Sequence, residues 1–268
     1  MRRTFALLAF VIAAMPLACG GDGLSPEAVV AEAATKTADA GSARIDMSAA
    51  IEGGGQSFTM VGKGEFADQR GRMTFDLSQA GQELSMEMIF DQLVIYMKFP
   101  SELGAQLPAG KSWVKMDLEE LSREEGIDLA ELMQAGQSDP TQALQYLRGA
   151  SDDFEKVGEE EIRGVGTTHY RGTVDLRKAA GQLSEGARES VDRIVELTGE
   201  SSFPFDVWID EDGLARRIKY EQSLPTAQGS NATMGMTMDF YDFGVEVEVE
   251  PPAEDEVVDL QELIGQGG

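Results

Sequence analysis

The apolar residues of this chain change their spacing at about residue 42, from a helical period to strict alternation. Before that point, Ser25 and Pro26 are typical of a helix start, because they supply an N-cap hydroxyl and a proline at the first helical position. Apolar residues then recur on one helical face. The pattern predicts a helix that runs to about Asp39 and stops at Gly41.

From residue 42 on, apolar and polar residues alternate in short runs that are separated by glycine-containing turns. In the first run, Ile45 and Met47 alternate with Arg44, Asp46 and Ser48. Alternation with a period of two is the pattern of a strand with one buried and one solvated face. Runs of this kind recur up to residue 118, and they predict about six strands joined as an antiparallel meander.

The second half of the chain mixes helical and strand patterns. Helices are predicted at 118–133, 140–148 and 187–197, and strands at 154–162, 167–176, 205–209, 214–221 and 233–240. A sheet of about eleven strands must cover its apolar face, and a few short helices are not enough to do so. We therefore predict an α+β fold, mainly antiparallel β, in which a curled half-barrel has helices across its concave face and encloses an apolar cavity.

Methionine follows the apolar positions of the predicted strands. Of the 13 methionines, Met1 and Met15 lie in the N-terminal segment, and among the others only Met133 falls in a predicted helix. Methionine is flexible and polarizable, so this pattern suits either a site for ligands of variable shape or a dry core that tolerates methionine. The candidate ligand-lining residues are Ile45, Met47, Phe58, Met60, Met73, Phe75, Met86, Met88, Met97, Met234, Met236, Met238 and Phe240.

The N-terminus predicts export and lipid attachment. Arg2 and Arg3 precede an apolar run at 5–15, which has the length of a signal-peptide core and is too short to span a bilayer. Small residues then lead to Cys19, the only cysteine, in a segment that resembles a lipobox, although Pro16 stands where leucine is usual. We predict a signal peptide at 1–18, a lipidated tether at 19–24 with Cys19 as the attachment residue, and membrane anchoring by acyl chains. The alternative is an ordinary secretory signal with a chance cysteine.

The charge of the chain restricts its partners. The net charge is −26, and loss of Arg2 and Arg3 with the signal peptide would make it −28. Such a chain is repelled by nucleic acid and by anionic lipid headgroups. Membrane attachment must therefore come from the lipid on Cys19, which predicts a location at the extracytoplasmic face of the cell membrane. Residues 251–268 form an acidic C-terminal tail, in which one short element could dock.

The sequence offers little catalytic chemistry. His169 is the only histidine, so a zinc site is improbable, and no Gly-x-Ser-x-Gly motif accompanies it. The acidic stretch at 210–213 has Lys219 where a calcium loop needs its last carboxylate, and a hairpin turn explains it better. We predict no catalytic residue, no metal and no cofactor.

Several short segments together resemble a known family. They are WVKMD at 113–117, VGEE at 157–160 leading to GTTHY at 166–170, and FDVWID at 205–210, in addition to the lipobox and the leading helix. With these motifs the chain resembles the LppX/LprAFG lipoproteins, which belong with the wider LolA/LolB-like envelope proteins, over residues 25–250. The resemblance implies a half-barrel domain that holds lipid acyl chains and carries lipids or lipoglycans through the envelope, without catalytic residues.

Three functions remain to be distinguished. The first is a lipid carrier or chaperone, with the segment from Gly136 to Gly149 as its lid. The second is an envelope sensor that uses the same fold to bind a protein partner, and it predicts a filled core. The third, a hydrolase, would require activity that depends on His169.

Overall fold

The computed structural model shows a single sheet of twelve strands with helices on it, described for residues 24–53, 56–67, 69–79, 82–100, 107–108, 110–124, 128, 153–181, 185–225 and 231–265. The strands are β1 (Ser42–Gly53), β2 (Gln56–Ala67), β3 (Arg70–Gln79), β4 (Gln82–Asp91), β5 (Val94–Lys98), β6 (Trp113–Asp117), β7 (Glu155–Ile162), β8 (Val165–Asp175), β9 (Ser202–Asp210), β10 (Ala215–Pro225), β11 (Asn231–Tyr241) and β12 (Val257–Asp259). The described α-helices are α1 (Pro26–Asp39), α2 (Leu118–Glu124), α3 (Leu176–Ala180), α4 (Glu185–Thr198) and α5 (Leu260–Gly265).

The order of strands in the sheet is β12-β6-β5-β4-β3-β2-β1-β11-β10-β9-β8-β7. Each of β1 to β6 pairs antiparallel with its neighbour in the chain, so the predicted meander is confirmed. β1 also pairs with β11, and this pair joins the meander to β7–β11. The sheet curls but does not close, which confirms the predicted α+β half-barrel.

Helix α1 begins and packs as its sequence predicts. Ser25 caps it, since its Oγ accepts a hydrogen bond from the Ala28 backbone N–H at 3.4 Å. Val30 and Ala33 are buried, and they pack against β9 in a core cluster that also contains Val207. The helix therefore covers the β9 end of the sheet rather than its centre.

The chain that follows β11 crosses the end of the sheet as the C-terminal strap (residues 242–256), which begins in a turn and ends in a 3-10 helix at Glu254–Glu256. At its start, Ser42 Oγ donates a hydrogen bond to the Val245 carbonyl at 2.6 Å. At its end, the Ser112 backbone N–H donates to the Glu256 carbonyl at 2.9 Å. The strap leads into β12, which pairs parallel with β6 and adds the twelfth strand. The acidic tail thus contributes both β12 and α5.

Some predicted features lie outside the described residues. These are the signal, the tether from Cys19 to residue 23, Met133, the helix predicted at 140–148, and the lid from Gly136 to Gly149. Of the helix predicted at 118–133, the structure describes α2 at its start, and the helix predicted at 187–197 is observed as α4.

Candidate functional site

Strand register places all thirteen candidate lining residues on one face of the sheet. Directly paired residues of neighbouring strands point to the same side of a sheet. Met47 pairs with Met238 of β11 and with Gly62 of β2. Gly62 in turn pairs with Phe75 of β3, which pairs with Met86 of β4. The pairings of these strands place the other candidates on the same side. We name this side the apolar face and the opposite side the polar face.

The candidate residues differ in how deeply they are covered. Met73 and Phe75 are buried, with exposed fractions of 4% and 3%. The remaining eleven are each partly exposed. A dry core would bury most of such side chains, whereas an uncovered sheet would expose them to water. The apolar face therefore has accessible hydrophobic surface at these eleven residues. That the thirteen residues line a ligand remains a prediction.

Helix α1 covers one end of the apolar face. From Met238 the ladder continues through Ile218 of β10 to Val207 of β9. Val207 and Ile218 pack in the same cluster as Val30 of α1. The helix thus closes the face over β9 and β10, and the candidate lining residues begin where this covered region ends.

Tyr220 is a residue of the apolar face that the methionine pattern did not identify. It lies directly opposite Met236, and its hydroxyl donates a hydrogen bond to the Met236 sulfur at 3.1 Å. Its ring centroid is 5.8 Å from that of Phe203. Burial raises the pKa of Tyr220 because the charged phenolate is poorly solvated there. The alternation of Ile218 and Tyr220 along β10 is the sequence signal that could have found it.

His169 lies on the polar face in a buried cluster. Its Nε2 is 2.5 Å from Asp206 Oδ1, and its ring stacks on Trp208 with centroids 4.1 Å apart. Arg171 donates to the same Asp206 oxygen at 2.8 Å. Among the residues that the structure describes, Nδ1 of His169 makes no hydrogen bond. Since no described hydroxyl bonds to either ring nitrogen, this part of the chain forms no Ser-His-Asp arrangement.

Two further interactions hold the polar face together. Arg217 donates two hydrogen bonds to the Asp239 carboxylate, at 2.5 and 2.7 Å. This pairing raises the pKa of Arg217, whose guanidinium also lies 5.8 Å from the Trp208 ring centre. The Trp208 indole N–H donates to Glu160 at 3.1 Å. These contacts connect β7, β9, β10 and β11, so the arrangement has a structural role.

One cavity beside β7 is chemically unsuited to an acyl chain. It measures about 430 Å³, and carboxylates of Glu159, Glu160, Glu161, Asp210 and Glu211 line it. Anionic walls favour water and cations over hydrocarbon. Within the described ranges, no group of three histidine, cysteine, aspartate or glutamate side chains is placed to hold a metal ion.

Within the described residues, no helix is both long enough and apolar enough to cross a membrane.

Comparison with known proteins gives relatives in Streptomyces. No family model matches the chain. A 31.2 kDa protein encoded between rplA and rplJ in Streptomyces griseus is 29% identical over 260 residues, which cover 91% of this chain and 82% of that protein. A provisionally named lipoprotein of Streptomyces coelicolor is 28% identical over 170 residues, or 61% of this chain. The match spans about half of that longer relative, 48% of its length.

Solved structures with a similar fold include the lipoprotein LppX and the protein LprF, both from mycobacteria. LppX of Mycobacterium tuberculosis is 17% identical, with a TM-score of 0.48, and the match covers 84% of this chain and all of LppX. LprF of Mycobacterium bovis is 15% identical, with a TM-score of 0.44, and the match covers 85% of this chain and 98% of LprF. The chain is thus similar over most of its length to the lipoproteins that its sequence motifs resemble.

Proposed function

We propose that this protein is an extracytoplasmic lipoprotein that binds the acyl chains of lipids on its apolar face and carries or chaperones them in the cell envelope. The observation that supports this most strongly is the set of eleven partly exposed apolar residues on one face of a curled sheet. Such a surface gains free energy by covering hydrocarbon, at about 0.8 kcal/mol for each buried CH2 group.

The chemistry of the apolar face favours flexible hydrocarbon. Methionines dominate the candidate set, and their unbranched side chains adapt to chains of different shape. Tyr220 is partly buried on this side, and this burial raises the pKa of its phenol. The acidic cavity beside Glu160 lies apart from the candidate residues and does not compete for the same ligand.

Attachment to a membrane is the second part of the proposal. The net charge of −26 repels anionic headgroups, so the domain needs another means of staying near its lipid source. Acyl chains on Cys19 would supply it. The Streptomyces coelicolor relative and LppX are both named as lipoproteins, which agrees with this part of the proposal.

Native mass spectrometry of protein purified from its own envelope tests the proposal. We expect a co-purifying lipid mass that organic extraction removes, and renewed binding of a pyrene-labelled fatty acid afterwards. Met236→Asp should weaken this binding, whereas Glu161→Gln, at the acidic cavity, should not. Absence of both a bound lipid and probe binding would refute the proposal. A specific crosslinked protein in place of lipid would instead support the partner-binding alternative.

A further inference from the structure

The C-terminal strap contains a stretch, residues 245–250, in which valine and glutamate alternate. Val245, Val247 and Val249 are half-buried, whereas the glutamate that follows each of them is exposed. A period of two is that of an extended strand with one side turned to the protein and the other to water. The stretch therefore has the pattern of a strand with an apolar and an acidic side, although it is part of no sheet.

The backbone of this stretch has no partner in the described part of the chain. Both ends of the strap are held by hydrogen bonds, to Ser42 and to Ser112. Between these two points, the N–H and carbonyl groups of residues 246–252 make no hydrogen bond to another described residue. Two prolines end the stretch and cannot donate, so the donors that an added strand could use are those of residues 246–250.

A cavity of about 640 Å³ lies beside the same stretch, and we name it the strap cavity. Residues 247–250 line it together with Ala67, Arg70 and Gln92, which lie at the ends of β2, β3 and β4. Consecutive side chains of a strand point to opposite sides, so a cavity that touches four consecutive residues lies along the strand's hydrogen-bonding edge. A four-residue strand is about 13 Å long, 4.8 Å wide and 10 Å thick, which matches this volume.

The charges around the strap cavity restrict what can bind there. Glu246, Glu248 and Glu250 are exposed, and within the described residues none of them is paired with a cation. Arg70 is already paired with Asp91, at 2.8 Å. A second copy of the strap would bring glutamate against glutamate, and hydrocarbon would leave the backbone groups without partners. The complementary ligand is an extended segment with lysine or arginine at every second position.

We propose that the strap is a docking site for a basic, extended segment of another protein. The segment pairs with the backbone of residues 246–250 as an added strand and places its cations opposite the three glutamates. This mode of binding takes its affinity from main-chain hydrogen bonds and its specificity from alternate side chains. None of the candidate lining residues of the apolar face borders the strap cavity, so a protein segment and a lipid have separate sites.

Fluorescence anisotropy with two labelled, end-blocked peptides tests the proposal on the full-length protein. The first peptide, Lys-Thr-Lys-Val-Lys-Thr-Lys, has the period of a strand. The second has four lysines separated by Pro-Pro pairs, so it keeps the charge but has neither that period nor most of the N–H donors. We expect the first peptide to bind about tenfold more tightly than the second. Only the first should slow amide hydrogen exchange in residues 246–250.

A variant of the strap tests the contribution of its carboxylates. It combines Glu246→Gln, Glu248→Gln and Glu250→Gln, which keep the size of the side chains and remove their charge. We expect it to bind the first peptide about tenfold more weakly, because three cross-strand ion pairs are lost. Circular dichroism checks that the variant is folded.

The matched control combines Glu155→Gln, Glu161→Gln and Glu211→Gln. These residues are also exposed and lie toward the β7 end of the sheet, so the net charge changes equally without a change in the strap. The control should bind the first peptide as the wild type does. Equal affinity for the two peptides, equal losses in the two variants, or unchanged exchange in the strap would overturn the inference. Binding of the fatty acid probe tests the lipid-binding function separately.

Discussion

Arg163 donates a hydrogen bond to Asp46 at 2.7 Å, although three strands of the sheet separate the β7–β8 hairpin from β1. Four strand spacings measure about 19 Å, well beyond the length of an arginine side chain. The end of the hairpin must therefore lie over the polar face of β9, β10 and β11. There the Arg163 guanidinium also lies 3.9 Å from the ring centre of Tyr241.

The position of Asp46 explains why this contact matters. Asp46 is paired directly with Asp239 of β11, and like charges in such a pair are destabilising. Arg217 neutralises Asp239, and Arg163 neutralises Asp46. Each carboxylate thus has its own cation, one from a neighbouring strand and one from a distant turn.

We expect Arg163→Ala to lower the free energy of unfolding by about 1 kcal/mol, because a partly exposed ion pair and a cation–π contact each contribute up to that amount. Urea unfolding followed by circular dichroism measures the change. Lys156→Ala removes a more exposed pair with Glu159 and should have little effect. A double-mutant cycle with Asp46→Ala that gives no coupling energy would show that the contact contributes nothing.

The sequence predicted those parts of the fold that depend on local pairing. β1 to β6 follow one another along the chain, so alternation and turns were sufficient to place them. β12 has three residues, and its partner β6 is far away in the chain. Next to this pair, the Lys111 side chain donates a hydrogen bond to the Glu254 carbonyl, which is 143 residues away in the chain. No local pattern reveals such a pair.

The candidate site was predictable to a similar extent. The period of two assigned every candidate methionine to the same side of the sheet, as the strand pairing does. Alternate residues keep the same side of a strand even when its ends are predicted wrongly. It could not show that Met73 and Phe75 are buried while their neighbours are partly exposed, since that depends on glycines in the adjacent strand. Tyr220 lies on the same face, but β10 contains no methionine, so the methionine pattern does not reach it.

β12 offers a second test of stability. Val258 has an exposed fraction of 4% and pairs with Val114 of β6. We expect Val258→Ala to lower the free energy of unfolding by about 2 kcal/mol, from lost burial and the cavity left behind. Val257→Ala, at the partly exposed neighbouring position, is the control and should cost less. Equal effects in urea unfolding would contradict a packed β12.

His169 provides a test that separates structure from catalysis. Its ring is 4% exposed and stacks on Trp208. His169→Ala should destabilise the fold by about 2 kcal/mol, since a buried ring and a hydrogen bond to a charged group are both lost. His169→Phe keeps a ring at the stacking position and should cost less. Both folded variants should bind a fatty acyl probe normally; loss of probe binding in either would place His169 in the ligand site.

The raised pKa of Tyr220 predicts that the free energy of unfolding falls at alkaline pH. Burial raises the pKa of Tyr220 in the folded chain, so the unfolded chain loses this proton first as the pH rises. The contribution of Tyr220 is therefore complete below about pH 10, the ordinary tyrosine value, and is lost as the pH rises through the folded-state pKa. Tyr220→Phe should reduce the fall in unfolding free energy between about pH 9 and pH 11. An unchanged fall would indicate that the phenol of Tyr220 is fully hydrated.

The parallel pairing of β12 with β6 also fixes the order in which the sheet can be completed. Because the chain is synthesised from its N-terminus, β6 is present long before Val257 and Val258 emerge from the ribosome. During that interval β6 has an open hydrogen-bonding edge, the kind that recruits strands from other molecules. The last strand to be made is the one that covers this edge. Completion of synthesis therefore coincides with the covering of β6.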